Sequence, residues 1–211
     1  MVELTEGQKD VLTEVVNLGM GRAASSLSRL TGERVLLEVP RIAILTLDRL
    51  DEELAPVLRQ EVCSVLQGFH GDITGDAILF LPVDSAANLV GLLVGRSLPL
   101  ERITELEQAA LMEVGNIVIN ACLGSLSNLL ETRFSFLVPQ VAVRNFRAIL
   151  RSGALGEGEA ARVCLLIESR FRVKEREVDG YLAVVVGVES ARALAAAADR
   201  LARKAGVEAG A

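Results

Sequence analysis

The chain repeats one sparse pattern at a fixed separation of 99 positions, and this duplication constrains its fold more than any other feature of the sequence. The pattern is a Glu, an Asn three residues later and a Pro further on, present as Glu14, Asn17 and Pro40 and again as Glu113, Asn116 and Pro139. The segments between these points align without a gap. Self-similarity at a fixed period is the signature of repeated structural units, so we predict a duplicated fold.

Each copy begins with a segment that has the apolar periodicity of an amphipathic helix. The inward stripes are predicted to contain Leu12, Val16, Met20, Ala23, Leu27 and Leu30 in the first copy, and Leu111, Ile119, Cys122, Leu126 and Leu129 in the second. The opposite faces are predicted to present Asp10, Glu14, Asn17 and Gly21, and Glu113, Asn116 and Asn120. Residues three apart on a helix are neighbours, so one small target can meet both members of each Glu–Asn pair.

The recurrence of the Glu–Asn pair indicates chemistry. Apolar positions recur in a duplication because both cores must pack, whereas an exposed Glu has no comparable packing reason to recur. A single exposed Glu near an Asn is ordinarily solvated surface. Asn is a poor residue inside a helix because its amide competes for backbone hydrogen bonds, so its repetition in register favours a functional surface.

With its spacing of Glu, two residues, Asn, 22 residues and Pro in both copies, the chain resembles the CheC and CheX phosphatases of bacterial and archaeal chemotaxis. Two copies in one chain resemble CheC, whereas CheX-like chains carry one. The resemblance implies a pseudo-twofold α/β fold, with one shared, antiparallel-rich sheet and two long motif helices. It also implies a single domain over 1–211, made of two repeats at about 1–98 and 99–211.

The resemblance further implies a substrate, the aspartyl phosphate of the response regulator CheY. Asn17 and Asn116 are expected to position the attacking water, the amide carbonyl accepting a hydrogen bond from that water while the NH₂ donates elsewhere. Glu14 and Glu113 are expected to reach the active-site lysine of the receiver and hold the two proteins in register. The four residues are the predicted catalytic set.

No metal or nucleophile of the chain's own is indicated by the sequence. The Mg²⁺ that the reaction needs is expected on the receiver partner, and no cofactor is expected on this chain. The one His, His70, lies in an apolar-rich segment without evident partners and is interpreted as structural or surface. Cys63, Cys122 and Cys164 are odd in number, widely spaced and in apolar contexts, which predicts buried free thiols.

Composition favours a cytoplasmic protein that binds other proteins. The net charge of −6 argues against nucleic acid as the main partner. The polar and acidic start is unlike a signal peptide, and no apolar run is long enough to predict a membrane span. The family resemblance makes CheD, a receptor-modifying deamidase, a further possible partner.

The rest of the chain is predicted to form strands and short helices in two copies. Thr31-Gly32 is expected to stop the first helix. Predicted strands are 34–39, ending at Pro40, then 41–47, 61–68, 77–81, 163–173 and 181–186. Predicted helices are 86–94, capped by Asp84 or alternatively Ser85, and a last helix opened by Glu189. A six-residue insertion is placed in the Gly-rich stretch 152–158, and the short join at 96–100 predicts closely packed halves.

The two copies also differ in ways that make their sites chemically unequal. The usual continuation N-x-G-x-G-N-A of CheC-like first motifs is altered here because Arg22 replaces its second Asn. Arg22 either changes docking or covers nearby apolar surface. Asp10, which is replaced by Ala109 in the second copy, either repels a carboxylate or binds a cation on the partner. The alternative function is a docking module of the chemotaxis or flagellar switch apparatus that binds without hydrolysis.

Overall fold

The computed structural model describes residues 4–54, 61–94, 104–145, 149, 162–173 and 176–204. The helices are α1 (Glu6–Thr31), α2 (Leu47–Glu53), α3 (Val83–Val94), α4 (Glu105–Leu130) and α5 (Val188–Lys204). The strands are β1 (Val35–Thr46), β2 (Glu61–Gly71), β3 (Gly75–Pro82), β4 (Phe134–Phe136), β5 (Gln140–Asn145), β6 (Arg162–Val173) and β7 (Arg176–Gly187).

Within these ranges the strands form one seven-stranded sheet in the order β1-β6-β7-β3-β2-β4, and β5 also pairs with β2. Every described pairing is antiparallel. The order is symmetric about the central β7–β3 pair. Each half of the chain contributes one inner hairpin, β2–β3 or β6–β7, and its first strand segment, β1 or β4 and β5, lies at an outer edge of the sheet. The predicted pseudo-twofold α/β fold with a shared antiparallel sheet is therefore confirmed, and the structure adds the strand order.

The signature prolines lie at matching irregularities in the outer strands. β1 continues through Pro40, so the predicted strand end there is wrong, but its register on β6 shifts between Glu38 and Arg41. In the second half the same place separates β4 from β5, on either side of Pro139. Proline has no N–H to donate to a ladder, which explains why pairing is interrupted at this point in both halves.

Both motif helices begin with a capping box, a further feature repeated at the same separation. The Thr5 hydroxyl accepts from the backbone N–H of Gln8, and the Gln8 side chain accepts from the backbone N–H of Thr5. Thr104 and Glu107 form the same pair of bonds at the start of α4. Two otherwise unpaired N-terminal donors are satisfied in each helix, which fixes its first turn. Neither capping box was predicted from the sequence.

The predicted helix end at Thr31-Gly32 is confirmed. Gly32 follows α1 with φ of 69°, the left-handed conformation that glycine adopts without strain. Most of the predicted inward stripe is buried, but Leu30 is 49% exposed and Leu129 is half-buried. Both lie in the last turn of a motif helix. The position of a residue around the helix axis does not show whether that turn of the helix still packs on the core. The prediction that Leu30 is buried was therefore wrong.

Two predicted boundaries differ from the structure because of local capping. The predicted strand 41–47 ends at Thr46, whose hydroxyl accepts from the backbone N–H of Arg49 and caps the unpredicted helix α2. α3 begins at Val83, so Asp84 and Ser85 lie in its first turn rather than at the cap. The predicted insertion at 152–158 and the join at 96–100 lie outside the described residues.

The main core lies between one face of the sheet and the helices α1, α3, α4 and α5. A smaller apolar cluster lies on the opposite face and includes Leu50 of α2, Ile78 and Phe80. The alanine-rich face of α5 is buried at Ala191, Ala197 and Ala198, and Ala198 belongs to the main core. This arrangement leaves one side of each motif helix facing outward.

Candidate functional site

The two motif helices pack against each other and present their Glu–Asn pairs on the outer side. Glu14 and Glu113 are exposed, as expected for residues that meet a partner. Asn17 and Asn116 are half-buried rather than fully exposed. Each amide therefore has one side available to a partner and one side close to the protein.

Gly115 brings α4 close to the sheet immediately beside Asn116. A Cβ at this position would lie 2.4 Å from Cγ1 of Val65 on β2, far inside normal contact distance. Val65 and Gln67 point to the same face of β2 because side chains alternate along a strand. The absence of a side chain at Gly115 thus lets α4 approach the part of β2 that carries Gln67.

A hydrogen-bond network surrounds the amide of Asn116. Its Oδ1 accepts from Nδ2 of Asn120, one turn later, at 2.8 Å, and from Nε2 of Gln67 at 3.3 Å. Nε2 of Gln67 also donates to the backbone carbonyl of Leu137 at 3.0 Å. A carbonyl oxygen has two lone pairs, so the Asn116 oxygen is fully engaged and its NH₂ remains available to a partner.

This arrangement reverses the hydrogen-bond direction expected for the second site. From the sequence, the Asn carbonyl was expected to accept a hydrogen bond from water while the NH₂ donated elsewhere. At Asn116 the carbonyl faces the protein instead, because two N–H groups already donate to it. The role of Asn116 stays a prediction, and the group it offers to a partner is a donor.

The first site lacks this support. Gly21 stands where the second copy has Asn120, and among the residues that the structure describes no hydrogen bond reaches the Asn17 side chain. Ser169 on β6 occupies the position that Gln67 has on β2. Arg41 of the first half pairs with Glu168, and its counterpart Gln140 of the second half pairs with Leu66. Ser169 and Gln67 are the next residues along these two partner strands. Among the described residues, the buried Ser169 hydroxyl has no hydrogen-bond partner. The two sites are therefore unequal in geometry as well as in sequence.

An exposed apolar loop lies beside the second site. Leu137 is 56% exposed and Val138 is 82% exposed, and both precede Pro139 between β4 and β5. The matching residues of the first half are Glu38, which is exposed and charged, and Val39, which is buried. Apolar contact surface is thus available next to Asn116 and not at the equivalent place near Asn17.

Arg22 lies nearer to the second site than its position in the first motif suggests. With Asn120, Arg133 and Phe136, it lines an open depression of about 380 Å³ between α1 and α4. The guanidinium thus adds positive charge to a depression that is also lined by Asn120, one turn after Asn116. Asp10 is exposed one turn before Glu14, so negative charge is concentrated beside the first Glu–Asn pair.

Gln67 is the site residue that sequence reasoning missed. It is 2% exposed and lies in β2 between apolar neighbours, where a strand pattern predicts only that it is covered. A buried polar residue in an apolar strand was the available signal, but nothing in the sequence pairs it with Asn116. That pairing depends on the register of β2 relative to α4.

The remaining candidate groups lie away from this network. His70 is exposed at the end of β2, in agreement with the surface interpretation. The three cysteines are free and buried, which confirms the prediction, and burial raises the pKa of Cys63 to about 11 and those of Cys122 and Cys164 to about 12. Thiols with raised pKa values are poor nucleophiles. In the part of the chain that is described, no group of three or more His, Cys, Asp or Glu side chains is placed to hold a metal ion.

α4 is the described helix whose length and composition would also allow it to cross a membrane, with a mean hydropathy of 1.5. Half of that apolar window is buried inside the protein. The core helix of a globular fold has the same properties. The apolar character of α4 is explained by its packing against both the sheet and α1.

Comparisons with known proteins indicate similarity to CheC-like proteins. Residues 8–44 match the model of the CheC-like family. The chain is 27% identical to the CheY-P phosphatase CheC of Bacillus subtilis (strain 168) over 169 residues, which cover 79% of this chain and 80% of that protein.

Two solved structures have the same fold. The first is Thermotoga maritima FliY, with a TM-score of 0.71, 20% identity and coverage of 95% of this chain and 99% of that one. The second is the complex of CheX, CheY, BeF₃ and Mg²⁺ from Borrelia burgdorferi, with a TM-score of 0.50, 15% identity and coverage of 80% of this chain and 96% of the matched chain.

Proposed function

We propose that this chain, which matches the CheC-like family model over residues 8–44, is a phosphatase that hydrolyses the aspartyl phosphate of a CheY-type response regulator. The observation that carries the proposal is the Glu–Asn pair repeated on the outer sides of two adjacent helices. A relative of similar length bears the name of this activity. The proposal assigns hydrolysis to these two pairs.

The role proposed for each Asn is to position water in line with the phosphorus. Hydrolysis of a phosphoryl group passes through a loose transition state, so catalysis depends on positioning and charge stabilisation more than on a protein nucleophile. At the second site the free NH₂ of Asn116 can donate to one lone pair of the water oxygen, while the other lone pair attacks phosphorus. The protons of that water then bind to acceptors on the receiver. Asn17 is proposed to act in the same way, without the supporting network.

The role proposed for Glu14 and Glu113 is to dock and orient the receiver. Each carboxylate is exposed one turn from its Asn, so it can pair with a cationic side chain of the receiver. Docking removes water from such an ion pair, and truncating one partner of a buried charge pair typically costs about 2–5 kcal/mol. The Glu pairs are thus proposed to select and align the substrate protein.

The proposed partner is a phosphorylated CheY-type receiver, which would supply the Mg²⁺. The complex of CheX with CheY, BeF₃ and Mg²⁺ supports a receiver as the partner for this fold. A receiver of this kind places the protein in the cytoplasm. The acidic chain carries Arg22 and Arg133 beside the second site, where an anionic phosphorylated surface would dock.

The direct test measures loss of phosphoaspartate from a CheY-type receiver in Mg²⁺, with and without this protein. We expect acceleration by the wild-type chain and none by the Asn17→Ala/Asn116→Ala double variant. Both side chains are half-buried on the outer side, so the variant should still fold, and its thermal unfolding serves as the control. Full activity in the double variant would refute the assignment of the amides.

A non-catalytic docking module is the second candidate, and the exposed apolar residues favour it. Leu18, Leu137 and Val138 are all more than half exposed, which suits protein binding. The fold is also that of FliY. CheD is a further proposed partner of such a surface. Binding of an activated receiver by the wild type, without any acceleration of phosphate loss, would support this candidate.

A further inference from the structure

We propose that Gln67 is a positioning residue that fixes the amide of Asn116 so that its NH₂ group faces the docked receiver. The inference rests on the proposed phosphatase function and adds a residue outside both Glu–Asn motifs. It also specifies which end of the Asn amide acts. The burial of Gln67 and the direction of three hydrogen bonds support this role.

The burial of Gln67 requires an explanation. Its side chain is 2% exposed, yet its Oε1 has no hydrogen-bond partner among the described residues. An unpaired buried polar atom is unfavourable, and an apolar side chain would avoid it. The hydrogen bonds that the side chain does make come from Nε2, which donates to Leu137 and to Asn116. The two hydrogen bonds that Nε2 donates therefore explain why a Gln is buried at this position.

The direction of the network follows from the carbonyl of Leu137. A backbone carbonyl only accepts, so the atom 3.0 Å from it must be the NH₂ of Gln67. The Asn116 atom that lies 3.3 Å from the same NH₂ must then be its oxygen. The atom of Asn120 that approaches this oxygen at 2.8 Å must be a nitrogen. The orientation of each amide is thus set by the one before it.

The Leu137 carbonyl, which orients the Gln67 amide, is held in place by a backbone hydrogen bond. The N–H of Leu137 donates to the carbonyl of Gly68 at 2.9 Å, and Gly68 follows Gln67 on β2. The Leu137 side chain also lies over Gly68, where its Cδ1 would be 2.9 Å from an added Cβ. The carbonyl that orients Gln67 is therefore tied to the strand that carries Gln67.

An amide held in this way does not need to be oriented when the receiver docks. Ordering a free side chain costs conformational entropy, which opposes binding and catalysis. A side chain that is already ordered in the free protein does not incur this cost during the reaction. Asn17 has neither donor, because Gly21 and Ser169 occupy the matching positions. The two sites then differ in turnover for a physical reason that neither Glu–Asn motif shows.

The experiment uses the full chain in two single-site backgrounds, Asn17→Ala and Asn116→Ala, with Gln67→Met added to each. Met has a similar length but cannot donate to Leu137 or Asn116. Turnover and half-saturation are measured for phosphoaspartate loss from a CheY-type receiver in Mg²⁺. In the Asn17→Ala background we expect kcat to fall about tenfold with KM nearly unchanged, as loss of an orienting hydrogen bond predicts.

The Asn116→Ala background is the matched control. There the remaining activity comes from Asn17, and Gln67→Met should leave it unchanged. An equal loss in both backgrounds would show general damage to the fold, and no loss in the Asn17→Ala background would show that Gln67 does not position Asn116. Either result overturns the inference.

A structural measurement keeps the inference testable if the wild type accelerates no receiver, which would refute the proposed function instead. The side-chain NH₂ resonances of Asn116 are identified by their absence from the Asn116→Ala spectrum. We expect a rigid side chain in the wild type, with a lower order parameter and shifted resonances in Gln67→Met. Unchanged resonances and order parameter would refute the positioning role.

Discussion

Substitution of Gly115 tests whether close approach of α4 to β2 builds the second site. A Cβ at residue 115 would lie 2.4, 2.5 and 2.8 Å from three atoms of Val65, so either α4 or Val65 must move by about 1 Å to restore ordinary contact. Overpacking of this kind costs about 1–3 kcal/mol. The Gln67–Asn116 hydrogen bond, already 3.3 Å long, would break if the helix moved outward by that amount. Gly115→Ala should therefore lower both stability and second-site activity.

Gly124→Ala on the same helix is the matched control. A Cβ at Gly124 meets nothing within 4 Å. Both changes gain the helix propensity of Ala, about 1 kcal/mol, so their difference isolates the steric term. In urea unfolding, Gly115→Ala should be about 1–3 kcal/mol less stable than Gly124→Ala. Equal stabilities, or second-site turnover in an Asn17→Ala background that Gly115→Ala leaves intact, would contradict this account of the helix contact.

Three further predictions follow from the two sites and the core. Gly21→Asn should raise the activity that remains in an Asn116→Ala background, because it gives Asn17 a donor one turn later; an unchanged rate would count against that role. Glu14→Lys with Glu113→Lys should weaken binding of a beryllofluoride-activated receiver, measured by titration, while thermal unfolding stays nearly unchanged. The three cysteines should resist alkylation at pH 8 until the protein unfolds. Because burial raises their pKa values from 9.0 to about 11–12, the unfolded state loses thiol protons first, and the urea midpoint should fall as pH rises above 9.

Much of the fold could be predicted because it depends on patterns that are local in sequence. The buried stripes of both motif helices follow a helical period, and the strands alternate or run apolar between turn residues. The missed features are decided by context. Thr46 continues an apolar strand and yet caps α2 through its hydroxyl, while Pro40 interrupts pairing without ending β1. Sheet order was not predictable, since it depends on pairings between residues as distant as Val35 and Val173.

The candidate site also contains residues that could be predicted from the sequence and residues that could not. Glu113 and Asn116 are found from spacing alone, because both lie on one helix at a separation of three. Gln67 was not found, since its relation to Asn116 depends on how β2 passes beneath α4. Leu137 contributes through its backbone carbonyl, which any residue would supply, so its side chain carries no signal of that role. Repetition thus identified the Glu–Asn pairs that are proposed to meet a partner, and not the residues that hydrogen-bond to the Asn116 amide.

Strand pairing between the halves joins the duplication into one structure, and Gln67 lies on one of the strands involved. β2 lies in the first half of the chain, yet it pairs with β4 and β5 of the second half and supplies the donor to Asn116. The first half likewise places β1 on β6 of the second. Each half therefore exchanges its outer strand with the other, and the supported amide is assembled from both. A change at Gln67 or Ser169 alters the surroundings of a single motif, so the halves can diverge in activity while both Glu–Asn pairs persist in the sequence.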